Sequence, residues 1–419
     1  MAAIQSLQPF VLPVRVEEIP AIDLDHFLGF IGPEREGFLL ESGLEAAGTG
    51  HWHFCGLDPI GRFQATREHW QSKALDGSVF GGEEDPLAAL ESWWSGWSFD
   101  HDPKLAESLD LPFVGGAVGW IGYEAADAFL GLPLRKGPEG PIGELLSGVP
   151  EMNWRLYDEL VAIDARDGRS WFLHRGREGW KERRWWLSTP WQKNSYTQRS
   201  TPKRESIRAG QCAPRITETS LTDEEYLACV EETRQRIGVG DVYEVNVARG
   251  LLLDDVPAAA DLHRLWRQAQ PVPYGAFIQG DPVSVVSASP EQFLSRRGDL
   301  ISTRPIKGTV PREATAALDS AAAQRLLRNE KERAELAMIV DLERNDLGRI
   351  CQPGSVAVTA AAEVEKYASV LHTVATVEGR LRGNPGPGEI LRATFPGGSI
   401  TGAPKIAAME QIRQLEPWP

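Results

Sequence analysis

Short apolar runs bounded by glycine give residues 1–187 a strand-dominated pattern, and a helical pattern begins just beyond residue 220. Residues 38–42 (Phe38, Leu39, Leu40, Glu41, Ser42) and 117–121 read as strands between glycines. Residues 161–164 and 170–173 flank Asp167-Gly168, a pair suited to the positive φ of a tight turn, so a hairpin is predicted there. Residues 188–216 hold Ser, Thr, Gln, Pro and basic side chains without apolar periodicity, which predicts a linker or long loop over about 188–220. Thr222 and Glu225 then fit a capping box, with Tyr226, Val230, Thr233 and Ile237 on one helix face and Gly238 and Gly240 at its end. The pattern continues as a strand over 242–247, a helix over 321–342 and alternating strand and loop over 361–381. A glycine-rich turn over 395–402 opens a last helix near Pro404. The chain thus divides into a strand-rich region 1–187, a connector 188–220 and a mixed region 221–419.

Composition narrows the function classes. At 419 residues, 42% hydrophobic and 25% charged, the chain can bury a large core, as two or three domains or one intertwined unit. A net charge of −15 argues against a nucleic-acid partner and leaves an anionic substrate dependent on local Arg, Lys, metal or helix N-termini. Cys55, Cys212, Cys229 and Cys351 are scattered and include no C-x-x-C pair, which predicts free thiols in a reducing compartment. Residues 1–20 lack the apolar core of a signal peptide, and no run approaches the ~18 apolar residues of a spanning helix. A cytoplasmic enzyme with no membrane partner is the expectation.

Five places could carry chemistry. Lys307 stands between Pro305 and Gly308, flanked by Arg304 and Arg312. Held rigidly and away from water, such a lysine becomes a usable nucleophile; otherwise it is a solvated loop residue. Glu335 precedes Met338, Ile339 and Leu342 by three, four and seven positions, on the apolar face of its own helix. A buried carboxylate there needs a metal or a base; the alternative is a salt bridge or a rotation that lets it reach water. Glu291, after Ser289-Pro290 at the end of an apolar run, is either a general acid–base group or a surface glutamate. His372 lies in a predicted strand, where a lone histidine is more often a satisfied core group. The turn over 395–402 feeds a helix N-terminus and suits a carboxylate or phosphate, although it matches neither the P-loop nor the dinucleotide-binding spacing.

Together the segments 241–246, 289–293, 303–312, 333–335, 339–349 and 395–405 resemble the chorismate-utilising family that includes component I of anthranilate synthase. Six motifs occur in the family's order and approximate spacing. The resemblance is close over about 221–419 and looser before it, through 39–42 and 115–119. It implies an α+β fold with two large antiparallel sheets packed face to face and helices outside. Lysine at 307 resembles the aminodeoxychorismate synthase branch, since anthranilate and isochorismate synthases usually carry alanine there. The implied chemistry makes Lys307 the nucleophile at C2 of chorismate, Glu291 the acid–base group for the departing C4 hydroxyl, and His372 a neighbour of the ring. Ammonia then adds at C4, giving 4-amino-4-deoxychorismate for para-aminobenzoate and folate synthesis. By the same resemblance Gly308, Thr309, Ser399, Thr401 and Gly402 contact substrate, Glu335 ligates Mg²⁺, and Leu40, Glu41 and Ser42 match a tryptophan pocket. Ammonia would come from a separate glutamine amidotransferase subunit. The rival readings are an anthranilate synthase component I and a shortened, non-catalytic homologue.

Two positions depart from the family. Glu244 stands where many amino-adding members have glutamine. The chain also stops at Pro419, where the family continues for several dozen residues that supply further strands, a second glycine-rich loop and a second Mg²⁺ ligand; a C-terminal truncation is the expectation.

Overall fold

The computed structural model describes residues 14–417, apart from 33–34, 44–49, 67–68, 75, 84, 98–110, 134–139, 177–186 and 188–213. Most of the expected connector, with Cys212, lies outside the described residues. Its last part, Arg215–Thr219, is a strand paired antiparallel with Leu251–Asp254.

Seven antiparallel strands form the largest sheet, in the order Arg15–Ile19, Ser170–His174, Glu159–Asp164, Trp52–Leu57, Gly37–Glu41, Tyr274–Gln279 and Val285–Ser289. Strands from both sides of 188–220 share it, with Glu41 opposite Gly275 and Leu39 opposite Phe277. Both faces are buried, which explains why the run Phe38-Leu39-Leu40 shows no polar alternation. Phe38, Trp52 and Phe54 point to one face and meet Val118 and Tyr157 of a second, five-stranded sheet. Leu39, Cys55 and Phe277 point to the other and meet Phe27 and Leu28 of the helix Leu24–Leu28. The far face of the second sheet is covered by Leu87, Leu90 and Trp93 of the helix Pro86–Ser95.

A third antiparallel sheet, also of five strands, carries the candidate chemistry. Its middle strand, Val370–Arg380, pairs along one edge with Leu300–Arg304 and then Ile306–Pro311, and along the other with Ala357–Lys366. Ile301, Ala375 and Val377 pack against Leu336, Val340, Leu347 and Ile350 of the helix Glu330–Ile350. The architecture is therefore α+β with antiparallel sheets and helices packed on them. Among the described residues there are three sheets of five or more strands, where two were expected.

Several local expectations hold. The Asp167-Gly168 hairpin joins Glu159–Asp164 to Ser170–His174, with Gly168 at φ +76°. The Thr222/Glu225 capping box opens a helix over Asp223–Val239, which ends at left-handed Gly240. Others need correction. The single helix expected over 321–342 is two, Ala316–Arg328 and Glu330–Ile350. Asn329 between them is extended, and its side chain accepts from the Lys331 and Glu332 N–H groups, so it ends one helix and caps the next. The expected strand over 242–247 shortens to Glu244–Val245. Residues 361–381 lie mostly in the two long strands Ala357–Lys366 and Val370–Arg380. No helix among the described residues is long and apolar enough to cross a membrane.

Candidate active site

Lys307 owes its aim to a β-bulge. Lys307 pairs with Thr373 and Thr309 with His372, so Gly308 is the extra residue on its strand. Gly308 sits at φ +85°, and a Cβ there would stand 3.1 Å from Glu332 Oε2 and 3.2 Å from Leu326 Cδ1. Only glycine takes this position without strain, and the bulge redirects the neighbouring side chains. Gly308 therefore acts through the backbone. Lys307 Nζ lies 2.5 Å from Glu244 Oε1 and 3.3 Å from the Ser399 carbonyl oxygen. The Lys307 and Glu244 side chains are only 15% and 16% exposed. The solvated-loop alternative for Lys307 is thereby removed.

Glu244 is fixed by a two-residue ladder in which Glu244 pairs with Ala403 and Val245 with Gly402. The flanking bonds Tyr243 N–H to Ala403 O and Asn246 N–H to Thr401 O extend it. The glycine-rich turn holds the strand that carries Glu244 and presents the Ser399 carbonyl to Lys307. Thr401 is fully buried, and its hydroxyl donates to the carbonyls of its own turn, Gly397 O at 3.2 Å among them. Its side chain is thus a turn-forming group. Gly398 N–H, one of the amides expected to receive a substrate anion, donates instead to Glu343 Oε1 at 2.7 Å.

Glu291 faces the same enclosure. Burial pushes its carboxyl above the usual range, while the Ser399 hydroxyl, the Lys307 charge and the Ile306 N–H pull it back part of the way. A carboxyl held neutral at higher pH is suited to donate a proton. His372 is half-buried on the middle strand, with Thr309 Oγ1 2.9 Å from its Nδ1 and Tyr367 edge-on to its ring. Burial favours its neutral form, against the Gly308 carbonyl and Glu365, which favour the proton. The structure thus gathers Lys307, Glu291 and Ser399, and separately pairs Thr309 with His372.

Glu335 departs from the expected burial. Its side chain is 34% exposed and reaches Lys331 Nζ at 3.5 Å, one turn back. The buried stripe of this helix runs through Leu336, Ile339, Val340, Glu343, Asp346, Leu347 and Ile350, and Glu335 lies on its flank. The core carboxylates are Glu343 and Asp346, both 2% exposed. Their spacing of seven and ten from Leu336 was readable as the same apolar period. Asp346 is ion-paired with Lys405, whose Nζ also donates to Thr394 O at 2.9 Å and Pro396 O at 2.6 Å, tying the helix to the glycine-rich turn.

Burial raises the Glu343 carboxyl to about 7, against the Gly398 N–H and the Lys405 charge, with Asp346 and Glu291 adding to the rise. The folded chain therefore holds a proton that the unfolded chain releases from the ordinary carboxyl value of 4.5 upward. The resulting stabilisation is full below the unfolded value, declines as pH rises, and is lost above about 7, on the order of 3 kcal/mol in all. Thermal melts across this range are expected to show a falling midpoint. Glu343→Gln, which keeps an acceptor for Gly398 N–H, is expected to flatten the fall; a parallel profile in the variant would contradict the assignment.

A cavity of about 1160 Å³ joins Leu40, Glu41, Ser42, Trp52 and Phe113 to Tyr274, Glu291 and Arg304. Glu41 is buried there and bound to His263 Nε2 at 2.5 Å and Arg267 Nε at 3.1 Å. Burial pushes its carboxyl up, but these partners outweigh that and leave it below the usual range. Arg304 is locked to Glu365 at 2.5 Å. Among the described residues no three His, Cys, Asp or Glu side chains gather as a metal cage. Mg²⁺ is commonly held by one or two carboxylates with substrate oxygens and water. Glu335, part-exposed on the helix packed along the Lys307 strand, offers one hard oxygen donor of that kind.

The family of chorismate binding enzymes matches residues 45–419. Aminodeoxychorismate synthase component 1 of Bacillus subtilis is 32% identical over 378 residues, 89% of this chain and 76% of that protein. Anthranilate synthase component 1 of Streptomyces coelicolor is 34% identical over 407 residues, 93% of this chain and 72% of that protein. The crystal structure of anthranilate synthase component I from Streptococcus pneumoniae superposes with a TM-score of 0.69 at 26% identity, covering 90% of this chain and 79% of that one. The relatives' names differ in reaction, while the family match spans most of this chain. With the antiparallel sheets and the enclosed Lys307 site already described, they establish that this chain belongs to the chorismate-binding enzyme family.

Proposed function

We propose that this chain is an aminodeoxychorismate synthase component I, converting chorismate and ammonia to 4-amino-4-deoxychorismate for para-aminobenzoate and folate synthesis. The observation that carries the reading is the enclosed Lys307 amine, 2.5 Å from Glu244 and beside the raised Glu291 carboxyl. An amine in that setting can form a bond to the ring, and an acid beside it can release the C4 hydroxyl as water. Two successive displacements then leave the new nitrogen on C4. Anthranilate formation, the alternative suggested by the name of the Streptomyces coelicolor relative, has no use for a buried nucleophilic lysine.

In this reading Thr309, with His372 behind it, and the Ser399–Gly402 backbone border the ring and its carboxylates. Tryptophan, the second ligand of the proposal, would occupy the apolar end of the cavity beside Leu40, Ser42, Trp52 and Phe113, with Glu41 already held by His263 and Arg267. Ammonia would be delivered by a glutamine amidotransferase partner in the cytoplasm. Glu335 would hold Mg²⁺ jointly with a substrate carboxylate. Bound there, the ion would neutralise the charge of that carboxylate. Glu335→Gln is expected to raise the Mg²⁺ concentration needed for chorismate binding at least about tenfold, read by titration calorimetry, while the melting midpoint stays unchanged. Equal Mg²⁺ dependence in both chains would remove Glu335 from the metal site.

The reading itself is tested by quenching the chain with chorismate and no ammonium, then mapping modified peptides by mass spectrometry. An adduct of chorismate less water on Lys307 is expected. Modification elsewhere, or an unmodified Lys307 in a chain that forms product once ammonium is added, would overturn it.

A further inference from the structure

We propose that Glu244 is the proton acceptor that converts Lys307 from ammonium to nucleophilic amine, an assignment that rests on the function proposed above. Glu244 Oε1 is 2.5 Å from Lys307 Nζ, close enough for direct transfer. The pair is enclosed at 15% and 16% exposure, so bulk water is a poor competitor for the proton. Glu244 Oε2 is buried and has no hydrogen-bond partner among the described residues. The carboxylate is thus half-satisfied by Lys307 and keeps a second oxygen on which a proton can rest. The other groups facing Lys307 do not serve: the Ser399 carbonyl cannot hold a proton at neutral pH, and in the function proposed above the Glu291 carboxyl is committed to donating to the C4 hydroxyl. Glu343, on the neighbouring helix, is itself raised by the Glu291 charge. The acceptor is also held in place, because Gly402 lets the backbone of Glu244 approach to a distance that any side chain would block.

The steps balance. Glu244 takes one proton from the Lys307 ammonium. The amine forms the N–C2 bond, the two diene electron pairs each shift by one bond, and the C4–oxygen bond breaks as Glu291 supplies the proton that makes water. Incoming ammonium gives a proton to Glu291, and the ammonia formed bonds to C4. The electron pairs shift back, the C2–N bond breaks, and Lys307 leaves as amine and recovers its proton from Glu244. The net change is chorismate and ammonium to aminodeoxychorismate and water. A glutamine at 244 would keep the hydrogen bond to Lys307 but could not accept the proton.

The test is the rate of Lys307 adduct formation in a single turnover without ammonium, measured by rapid quench and intact-protein mass. In the native chain the rate is expected to be flat between about pH 6 and 9. In Glu244→Gln it should fall at least about 100-fold near neutral pH and rise roughly tenfold per pH unit, as solvent takes over deprotonation. Chorismate affinity should stay within about threefold in the variant, and Glu244→Asp should keep the flat profile with a smaller loss. Parallel pH profiles for the native chain and Glu244→Gln would overturn the assignment while leaving the Lys307 mechanism standing. No adduct in the native chain at any pH would instead overturn the proposed function on which the assignment rests.

Discussion

Lys307→Ala is expected to lower the rate of C4 amination at least about 10³-fold while weakening chorismate binding by less than about tenfold. The amine is the proposed nucleophile, bordered by Glu244, Glu291 and Ser399, and the groups proposed for the carboxylates and the metal are separate from it. Removal therefore acts on bond formation and spares most of the binding. It also strips Glu244 of its cation. Lys307→Arg controls for that loss, because the guanidinium keeps a positive charge opposite Glu244 but does not lose its proton. Both variants should be inactive and folded, as read by product chromatography and thermal melts. Amination by either at near-native rate would show that the lysine is only a structural cation.

Gly402→Ala is expected to destabilise the chain by about 2–5 kcal/mol and to lower activity further than the lost stability accounts for. Gly402 sits at φ +129°, and an added Cβ would stand 2.0 Å from the Glu244 carbonyl oxygen and 2.7 Å from its carbon. The obstructing atoms are backbone, so no side-chain rotation relieves the clash. The strand Glu244–Val245 must move off Gly402–Ala403, and its carboxylate moves away from Lys307 with it. Denaturant unfolding gives the stability change, and the pH profile of adduct formation gives the displacement of Glu244. A fully stable variant with a native profile would mean that this ladder does not position the acceptor.

The sequence made the site more legible than the sheets around it. Lys307, Glu291 and Ser399 were identified from short motifs, and the structure brings them together because bulges and turns are written in local residues such as Gly308 and Gly402. The largest sheet was harder. Its pairing of Glu41 with Gly275 joins residues far apart in the chain, and no local pattern encodes such a partner. Helix boundaries failed where one polar residue did two jobs: Asn329 ends one helix and caps the next, which an apolar period passes over. Glu335 was assigned to the apolar face from three neighbours. Extending the count to Leu336, Val340, Glu343, Leu347 and Ile350 shifts the buried stripe by one residue and exposes Glu335. Glu244 stood out as a departure from the family, but its contact with Lys307 depends on the third-dimensional approach that Gly402 permits.

The central claim is that this site places nitrogen on C4 of chorismate. The most direct measurement is to incubate the chain with chorismate, Mg²⁺ and ¹⁵N-labelled ammonium and to locate the label in the product by NMR. The account expects aminodeoxychorismate with the label bound to C4. Label on C2, as in anthranilate, or a folded chain that leaves chorismate unchanged, would contradict it.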